Sequence, residues 1–162
     1  MAIAQRSVTL QASPDKLWAL LSSLENWPYL FNPPAGWVSR STLQFETNLL
    51  EGKPAGFVLK LDGNELSLWD ISEWTPPKLV VSRMKRLADA HRFQNWLASP
   101  TGGFSFKLTP IDSINTRVDL SFEISFNGRI GAAFEWIMGL EQRAGNTLDR
   151  VVKRLEKQLE PA

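Results

Sequence analysis

The residue types that usually carry metal or nucleophilic chemistry are nearly absent from this chain. Its 162 residues contain one histidine, His91, and no cysteine, which excludes thiolate and histidine-rich metal sites. A serine–histidine–aspartate triad would have to use His91, which lies in a polar stretch without a nucleophile motif. Gly102-Gly103 lacks both the Lys-Ser/Thr end and the following helix of a phosphate loop. We therefore expect no metal and no cofactor, and no catalytic residue can be assigned.

One carboxylate stands out because it interrupts an apolar stripe. At about 100° per residue of a helix, Glu141 falls beside Ile137, Ala144 and Leu148. A carboxylate that faces a dry interior is costly unless it is paired, hydrogen-bonded or protonated. We therefore predict that Glu141 is the polar anchor of an otherwise apolar pocket, or that it meets an inward-pointing arginine. The alternative is that a small shift of the helix takes Glu141 to the rim and to water.

The helix that must position Glu141 is the last segment of the chain. Apolar residues recur there at three- and four-residue steps, and basic residues occupy the opposite face. The pattern predicts one helix from about Gly131 to Glu160, roughly 45 Å long at ~1.5 Å per residue. Its basic residues alternate with acidic ones such as Asp149 and Glu156. That alternation is typical of a solvated face rather than of a surface that binds anionic membrane.

The segments before this helix have the alternation of antiparallel strands. Apolar and polar residues alternate cleanly from Thr116 to Phe126, and Phe104–Ile111 behaves in the same way, as in a sheet with one wet and one dry face. Ser13-Pro14-Asp15 predicts a helix start, and Trp27–Phe31 predicts a short second helix. The remaining predicted strands are Arg6–Ala12, Trp37–Glu46, Gly56–Leu61, Leu66–Trp74 and Leu79–Leu87, of which the inward faces of the last two stay open.

Large apolar side chains on the dry face support two interpretations. Core packing is what such stripes usually mean. The alternative is a cavity wall, because a curled sheet around a helix cannot close its wide end by backbone geometry alone. Pockets for small molecules are lined mainly by such apolar and aromatic side chains. The residues predicted to contact a ligand are Phe104, Phe106, Leu108, Leu120, Phe122, Phe134, Ile137 and Glu141.

The connection from Ala88 to Gly103 is longer than a hairpin needs. Long connections in compact domains often act as lids. We predict a cavity mouth near this connection and the Asn32–Gly36 loop, with His91, Phe93 and Trp96 as gate residues. The competing interpretation is a surface insertion without a role in access.

Composition and charge indicate one soluble domain that spans residues 1–162. Hydrophobic residues make up 43% and charged residues 22%, enough apolar side chains to bury a core. The formal net charge of +1 offers no long-range field for nucleic acid or anionic membrane. Neither a signal-type segment nor an apolar run near the ~20 residues of a membrane span is present. We expect a cytoplasmic monomer or homodimer without stable membrane insertion.

Five local motifs appear in an order that points to one family. They are Val8–Trp18, Asn26-Trp27-Pro28, Glu51–Pro54, Ile71–Leu79 and Asn115–Val118. Together with the order of the predicted elements they resemble the START-like helix-grip superfamily. This superfamily, also called SRPBCC, includes pollen-allergen-like, polyketide-cyclase-like and lipid-transfer proteins. The resemblance implies an α+β fold. In it, a curved antiparallel sheet of about six or seven strands wraps around a long C-terminal helix, with two short helices after the first strand.

The resemblance implies a cavity between sheet and helix, and three functions compete for it. The first is binding or carriage of a small hydrophobic molecule such as a lipid, an isoprenoid or an aromatic, polyketide-like metabolite. The second is a polyketide cyclase or dehydratase, which would need at least two polar groups converging in a dry pocket. The third is a co-chaperone-like interaction module with a closed cavity. Only one inward ionisable group is predicted, which ranks binding above catalysis.

Overall fold

The fold combines one antiparallel sheet with three helices in the part of the chain that is described. The computed structural model describes residues 1–31, 43–51, 53–87, 99–127, 133 and 139–161. The strands are β1 (Ala2–Leu10), β2 (Leu43–Leu50), β3 (Lys53–Leu61), β4 (Asn64–Thr75), β5 (Leu79–Leu87), β6 (Ser99–Pro110) and β7 (Thr116–Asn127). The helices are α1 (Pro14–Ser22), α2 (Trp27–Phe31) and α3 (Leu140–Leu159).

The seven strands lie in the order β1-β7-β6-β5-β4-β3-β2. Strands β2 to β7 therefore follow one another as a meander, and β1 is added beside the last of them. Every residue of β1 is paired, from Ala2 opposite Ile124 to Leu10 opposite Thr116. The prediction of an α+β helix-grip fold with about six or seven strands is confirmed.

Strand β4 changes its inward face part-way along. Trp69 and Ile71 both pack against the core, but a register shift between Ile71 and Glu73 brings Trp74 to the same side. Such a bulge inserts one residue and reverses the alternation beyond it. On β5, Ser82 is buried, whereas Arg83 is exposed on the outer face. The inward faces that the sequence left open are thus assigned.

Helices α1 and α2 cover the inner face of the sheet with aromatic side chains. The Ser13 hydroxyl accepts a hydrogen bond from the Lys16 N–H at 3.3 Å, so the predicted helix cap is present. In α2 the indole N–H of Trp27 donates to the Leu21 carbonyl at 2.8 Å, which satisfies a buried donor. The ring of Trp27 is thereby fixed inside the core.

Helix α3 packs against β1, β7 and α2. Its side chains Leu148, Val151 and Leu155 are fully buried. Gly139, just before α3, has left-handed backbone angles (φ 56°, ψ 47°), which glycine adopts without steric cost. One unbroken helix from about Gly131 is therefore wrong, because the right-handed helical path is interrupted at Gly139. The apolar periodicity alone gives no sign of this interruption.

One predicted loop region is shorter than the sequence suggests. Strand β6 begins at Ser99, so the end of the predicted Ala88–Gly103 connection belongs to the sheet. The predicted gate residues His91, Phe93 and Trp96, together with the Asn32–Gly36 loop, lie outside the described residues. Among the helices that the structure describes, none combines the length and the hydropathy needed to cross a membrane.

Candidate ligand groove

Two of the aromatic side chains predicted to face a ligand, Phe104 and Phe106, belong to the packed core. The Phe104 ring lies 4.8 Å from the Phe31 ring and 5.5 Å from the Trp27 ring, measured between centroids. The Phe106 ring lies 5.7 Å from that of Trp18. Helices α1 and α2 therefore cover these positions. Four predicted contacts are buried in this core, and their role in binding stays a prediction: Phe104, Phe106, Leu108 and Leu120.

An open groove of about 790 Å³ lies between the start of β1 and the start of α3. Binding sites for small molecules have volumes of roughly 300–1,000 Å³. One wall is the consecutive segment Met1–Arg6, which is Met1 and the first five residues of the edge strand β1. The other wall consists of Gly139–Gln142, Gly145 and Asn146 from the first two turns of α3.

Small side chains on β1 make room for this groove. Ala2 and Ala4 are buried and line its inner side. They are paired with Ile124 and Phe122 of β7, which are only half-buried and pack against the core. The apolar surface of the groove therefore lies next to the inner face of the sheet. Phe122 is the predicted aromatic contact that is paired with a residue of the groove, Ala4.

An ion pair fixes the wall where β1 meets α3. The Arg6 guanidinium donates to Asp149 through Nε at 2.6 Å and through Nη2 at 3.2 Å, and through Nη1 to the Gln5 carbonyl at 2.9 Å. A Cβ at position Gly145 would lie 3.0 Å from Arg6 Nη2, so the glycine leaves space for the guanidinium. Glycine inside a helix is otherwise unfavourable by roughly 0.5–1 kcal/mol relative to alanine.

The hydrogen bonds of this pair shift both ionisations. The pKa of Asp149 is lowered, chiefly because its carboxylate accepts hydrogen bonds from Arg6. The pKa of Arg6 is raised for the same reason. Both groups are therefore charged at neutral pH and form an ion pair with each other.

Glu141 lines the groove but is exposed. The expectation that it faces a dry interior is wrong, because α3 begins at Leu140 and Glu141 lies in its first turn at the rim of the groove. The rim position was the alternative, and it is the one observed. A role of Glu141 in ligand contact stays a prediction. Phe134 and Ile137, the other predicted contacts before α3, lie outside the described residues.

The sequence analysis does not predict the position of this groove, because the residues that make room for it are small. Ala2 and Ala4 alternate with larger side chains, and Gly145 interrupts an amphipathic helix. Both patterns indicate close approach or open space rather than chemistry. In the part of the chain that the structure describes, no three acidic or histidine side chains come close enough to hold a metal ion.

Residues 1–160 match the family model described as polyketide cyclase / dehydrase and lipid transport. The chain belongs to this family. No curated protein sequence matches it significantly. The match covers β1 and α3, so both walls of the groove lie inside the family domain.

Solved structures agree with this polyketide cyclase / lipid transport family fold. A START superfamily protein from Mycobacterium smegmatis has a TM-score of 0.65 at 13% identity, covering 97% of this chain and 96% of that one. Protein CV1439 from Chromobacterium violaceum has a TM-score of 0.63 at 11% identity, with 99% and 98% covered. A protein from Arthrobacter aurescens has a TM-score of 0.62 at 15% identity, with 95% and 83% covered. At these identities the similarity concerns the fold alone.

Proposed function

We propose that the protein binds a small hydrophobic molecule, such as a lipid, an isoprenoid or an aromatic metabolite, in the groove between β1 and α3. The observation that carries the proposal is the groove itself, placed between the sheet and the last helix. The family description, which joins polyketide cyclases and dehydrases with lipid transport, supports a ligand of this class.

The distribution of side chains in the groove suits an amphiphilic ligand. Ala2, Ala4 and Leu140 are buried and offer an apolar floor. Gln142 and Asn146 are exposed and offer hydrogen-bonding groups at the rim. Pockets that bind small molecules commonly combine an apolar lining with a few polar groups that fix orientation. The apolar part of a ligand would thus contact the floor, and its polar end would stay at the rim.

The ionisable groups of the groove favour binding over the cyclase or dehydratase alternative. Glu141 is the one carboxylate among the described lining residues. Arg6 also lines the groove, but its guanidinium is held by Asp149. General acid–base catalysis needs convergent groups that are free to exchange protons with the substrate. This arrangement suits a carrier better than a catalyst.

Filling the groove from the helix side tests the proposal. Asn146 is exposed and lines the groove, so Asn146→Trp should occupy ligand space without disturbing the core. We expect the affinity for the neutral probe N-phenyl-1-naphthylamine, measured by its fluorescence, to fall by about tenfold or more, since tenfold corresponds to only about 1.4 kcal/mol. Native mass spectrometry of the purified wild type should show a co-purified apolar adduct that this variant lacks.

The matched control is Glu156→Trp, which places the same ring on an exposed position of α3 away from the groove. It should bind the probe as the wild type does. Equal probe affinity in wild type, Asn146→Trp and control would contradict binding in the groove. Absence of probe binding and of any adduct in the wild type would contradict the proposed function itself.

A further inference from the structure

Strand β1 lines the groove with its main chain as well as with its side chains. It is an edge strand, with β7 on one side and none of the described strands on the other. The segment Met1–Arg6 lines the groove without a gap, although neighbouring side chains of a strand point to opposite faces. One face of the strand would contribute only alternate residues. The groove therefore runs along the open edge of β1, where main-chain groups are directed away from the sheet.

The β6–β7 turn determines which residues of β7 bond to which neighbouring strand. The Ile111 N–H donates to the Asn115 carbonyl at 2.9 Å, so these residues form a hydrogen-bonded pair. In an antiparallel ladder such pairs alternate with pairs that share no hydrogen bond, and each residue directs its N–H and C=O to one side. The same register continues along β6 and β7. The odd-numbered residues of β7 therefore bond to β6, and its even-numbered residues bond to β1.

On β1, the main-chain groups that are directed into the groove belong to odd-numbered residues. Ala4 lies opposite Phe122, an even-numbered residue of β7, so the N–H and C=O of Ala4 bond to β7. Ile3 and Gln5 therefore direct their groups outward. The Gln5 carbonyl agrees with this direction, because it accepts a hydrogen bond at 2.9 Å from the Arg6 guanidinium, which also contacts α3.

Ile3 offers a donor and an acceptor side by side in the groove. The residue is 39% exposed. In the part of the chain that the structure describes, no hydrogen bond occupies its outward N–H or C=O. A single trans amide cannot meet both groups, because its N–H and C=O point in opposite directions. A residue between two amide groups meets both, as the opposite residue of an antiparallel strand does.

We propose that the ligand of the groove carries such a peptide unit and adds to the edge of β1 as a short extra strand. Addition of an extended peptide to an open sheet edge is a general mode of recognition, in which main-chain hydrogen bonds supply affinity. Ala2, Ala4 and Leu140 offer an apolar floor beside this edge. An N-acylated amino acid amide, or a lipopeptide with that unit, combines a peptide unit with an apolar group. The inference rests on the proposed function, because the apolar group would occupy the same groove.

The ion pair between β1 and α3 limits the length of the added strand. The Arg6 guanidinium occupies the Gln5 carbonyl and is itself held by Asp149. An extra strand thus finds a complete donor and acceptor pair at Ile3 but only the N–H at Gln5. A long peptide strand, or β1 of a second copy, would lack a hydrogen bond there. The site therefore favours a short ligand.

Exchange of an amide for an ester in the ligand tests the proposal on the unchanged protein. The probes are octanoyl-glycine N-methylamide and its depsi analogue, in which an ester oxygen replaces the glycine N–H. They share the octanoyl chain and differ in the donor that would reach the Ile3 carbonyl. We expect the wild type to bind the amide probe about tenfold or more tightly than the ester probe, because the ester leaves that carbonyl without a donor. Displacement of N-phenyl-1-naphthylamine measures both affinities.

A proline at position 3 tests the donor on the protein side. Ile3→Pro removes the outward N–H and leaves the bonds of β1 to β7, as proline at a strand edge does. We expect its affinity for the amide probe to fall by about tenfold or more. The matched control is Thr9→Pro, which removes an outward N–H of the same strand outside the groove lining and should bind the probe as the wild type does. Circular dichroism checks that both variants fold, and the wild-type comparison of the two probes decides the question if Ile3→Pro does not.

The possible outcomes separate this proposal from the proposed function. Equal affinity of the wild type for the amide and ester probes, with N-phenyl-1-naphthylamine still bound, overturns the peptide unit and leaves the groove as a binding site. Equal effects of the two proline variants also overturn it. A concentration-dependent dimer that Ile3→Pro abolishes would assign the edge of β1 to a second copy instead. If the wild type binds neither probe nor N-phenyl-1-naphthylamine, both proposals fail.

Discussion

At the scale of single residues, the sequence predicts which side chains are available but not which of them meet. Arg6 and Asp149 are 143 positions apart, and no periodicity connects them. The isolated glycine at 145 is the local sign that something approaches α3 closely. The apolar stripe predicts an inward-facing Glu141, yet the position of the helix start decides its exposure. The sequence shows that a carboxylate interrupts the stripe, whereas its exposure depends on the tertiary structure.

Replacing Asp149 by asparagine should change how stability depends on pH. The pKa of Asp149 is lowered in the folded protein by hydrogen bonds from Arg6, so its carboxylate stabilises the fold above the ordinary aspartate pKa near 4. That contribution is lost as the pH falls through the lower folded value. Because both side chains are about half-exposed, we expect Asp149→Asn to cost only about 0.2–1 kcal/mol at pH 7.

Urea unfolding at pH 7 and at pH 3 measures this difference. The free energy of unfolding of Asp149→Asn should lie below that of the wild type at pH 7, and the gap should narrow at pH 3. Glu156→Gln removes a carboxylate from the same helix without breaking a described contact and should leave the wild-type value at pH 7. A gap that widens toward acid would contradict the ion pair.

At the scale of elements, alternation predicts strands well where one face is buried throughout. The alternation predicts a strand over Thr116–Phe126, and β7 runs from Thr116 to Asn127. The pattern fails at the bulge between Ile71 and Glu73, because one inserted residue reverses the alternation without any change in composition. It fails again at Gly139, where a helical period continues through a residue with left-handed backbone. Both failures concern one residue whose backbone departs from the local regularity.

Close approach of β3 and β4 makes Gly56 sensitive to substitution. A Cβ at this position would lie 2.4 Å from the main-chain carbonyl oxygen of Trp69, which cannot move without displacing β4. Gly56→Ala should therefore destabilise the protein by about 1–3 kcal/mol or more, as overpacking of cores does. Chemical denaturation measures the change.

Gly63 provides the matched comparison in the same part of the sheet. Its φ is +82° and an added Cβ would meet no atom within 4 Å, so Gly63→Asn should be tolerated better, because asparagine enters the left-handed region more readily than most residues. If Gly56→Ala unfolds at the same denaturant concentration as the wild type, the close contact between the strands is not present.

At the scale of the whole molecule, the order of the elements predicts the fold, whereas composition and net charge do not predict the surface features. Strands followed by a long amphipathic helix must bury the apolar stripe of the helix on the sheet, and the family fold follows from this requirement. The groove lies where β1 and α3, from opposite ends of the chain, line one space. A total over the chain does not contain that information.

The contacts of α3 predict that sheet and helices unfold as one cooperative unit. Leu148 is fully buried in the core that α3 shares with β1, β7 and α2, so Leu148→Ala should cost on the order of 2–5 kcal/mol. The loss should lower the melting temperature seen by far-ultraviolet circular dichroism and that seen by tryptophan fluorescence equally. The dichroism follows the whole backbone, and Trp18, Trp27, Trp69 and Trp74 belong to the core or pack against it. Coincident transitions are the signature of two-state unfolding.

The control is Lys157→Ala, which changes an exposed position on the same helix and should change stability by no more than about 0.5 kcal/mol. Two separate transitions, or a Leu148→Ala melting curve identical to that of the wild type, would mean that α3 is not integrated into the core of the sheet.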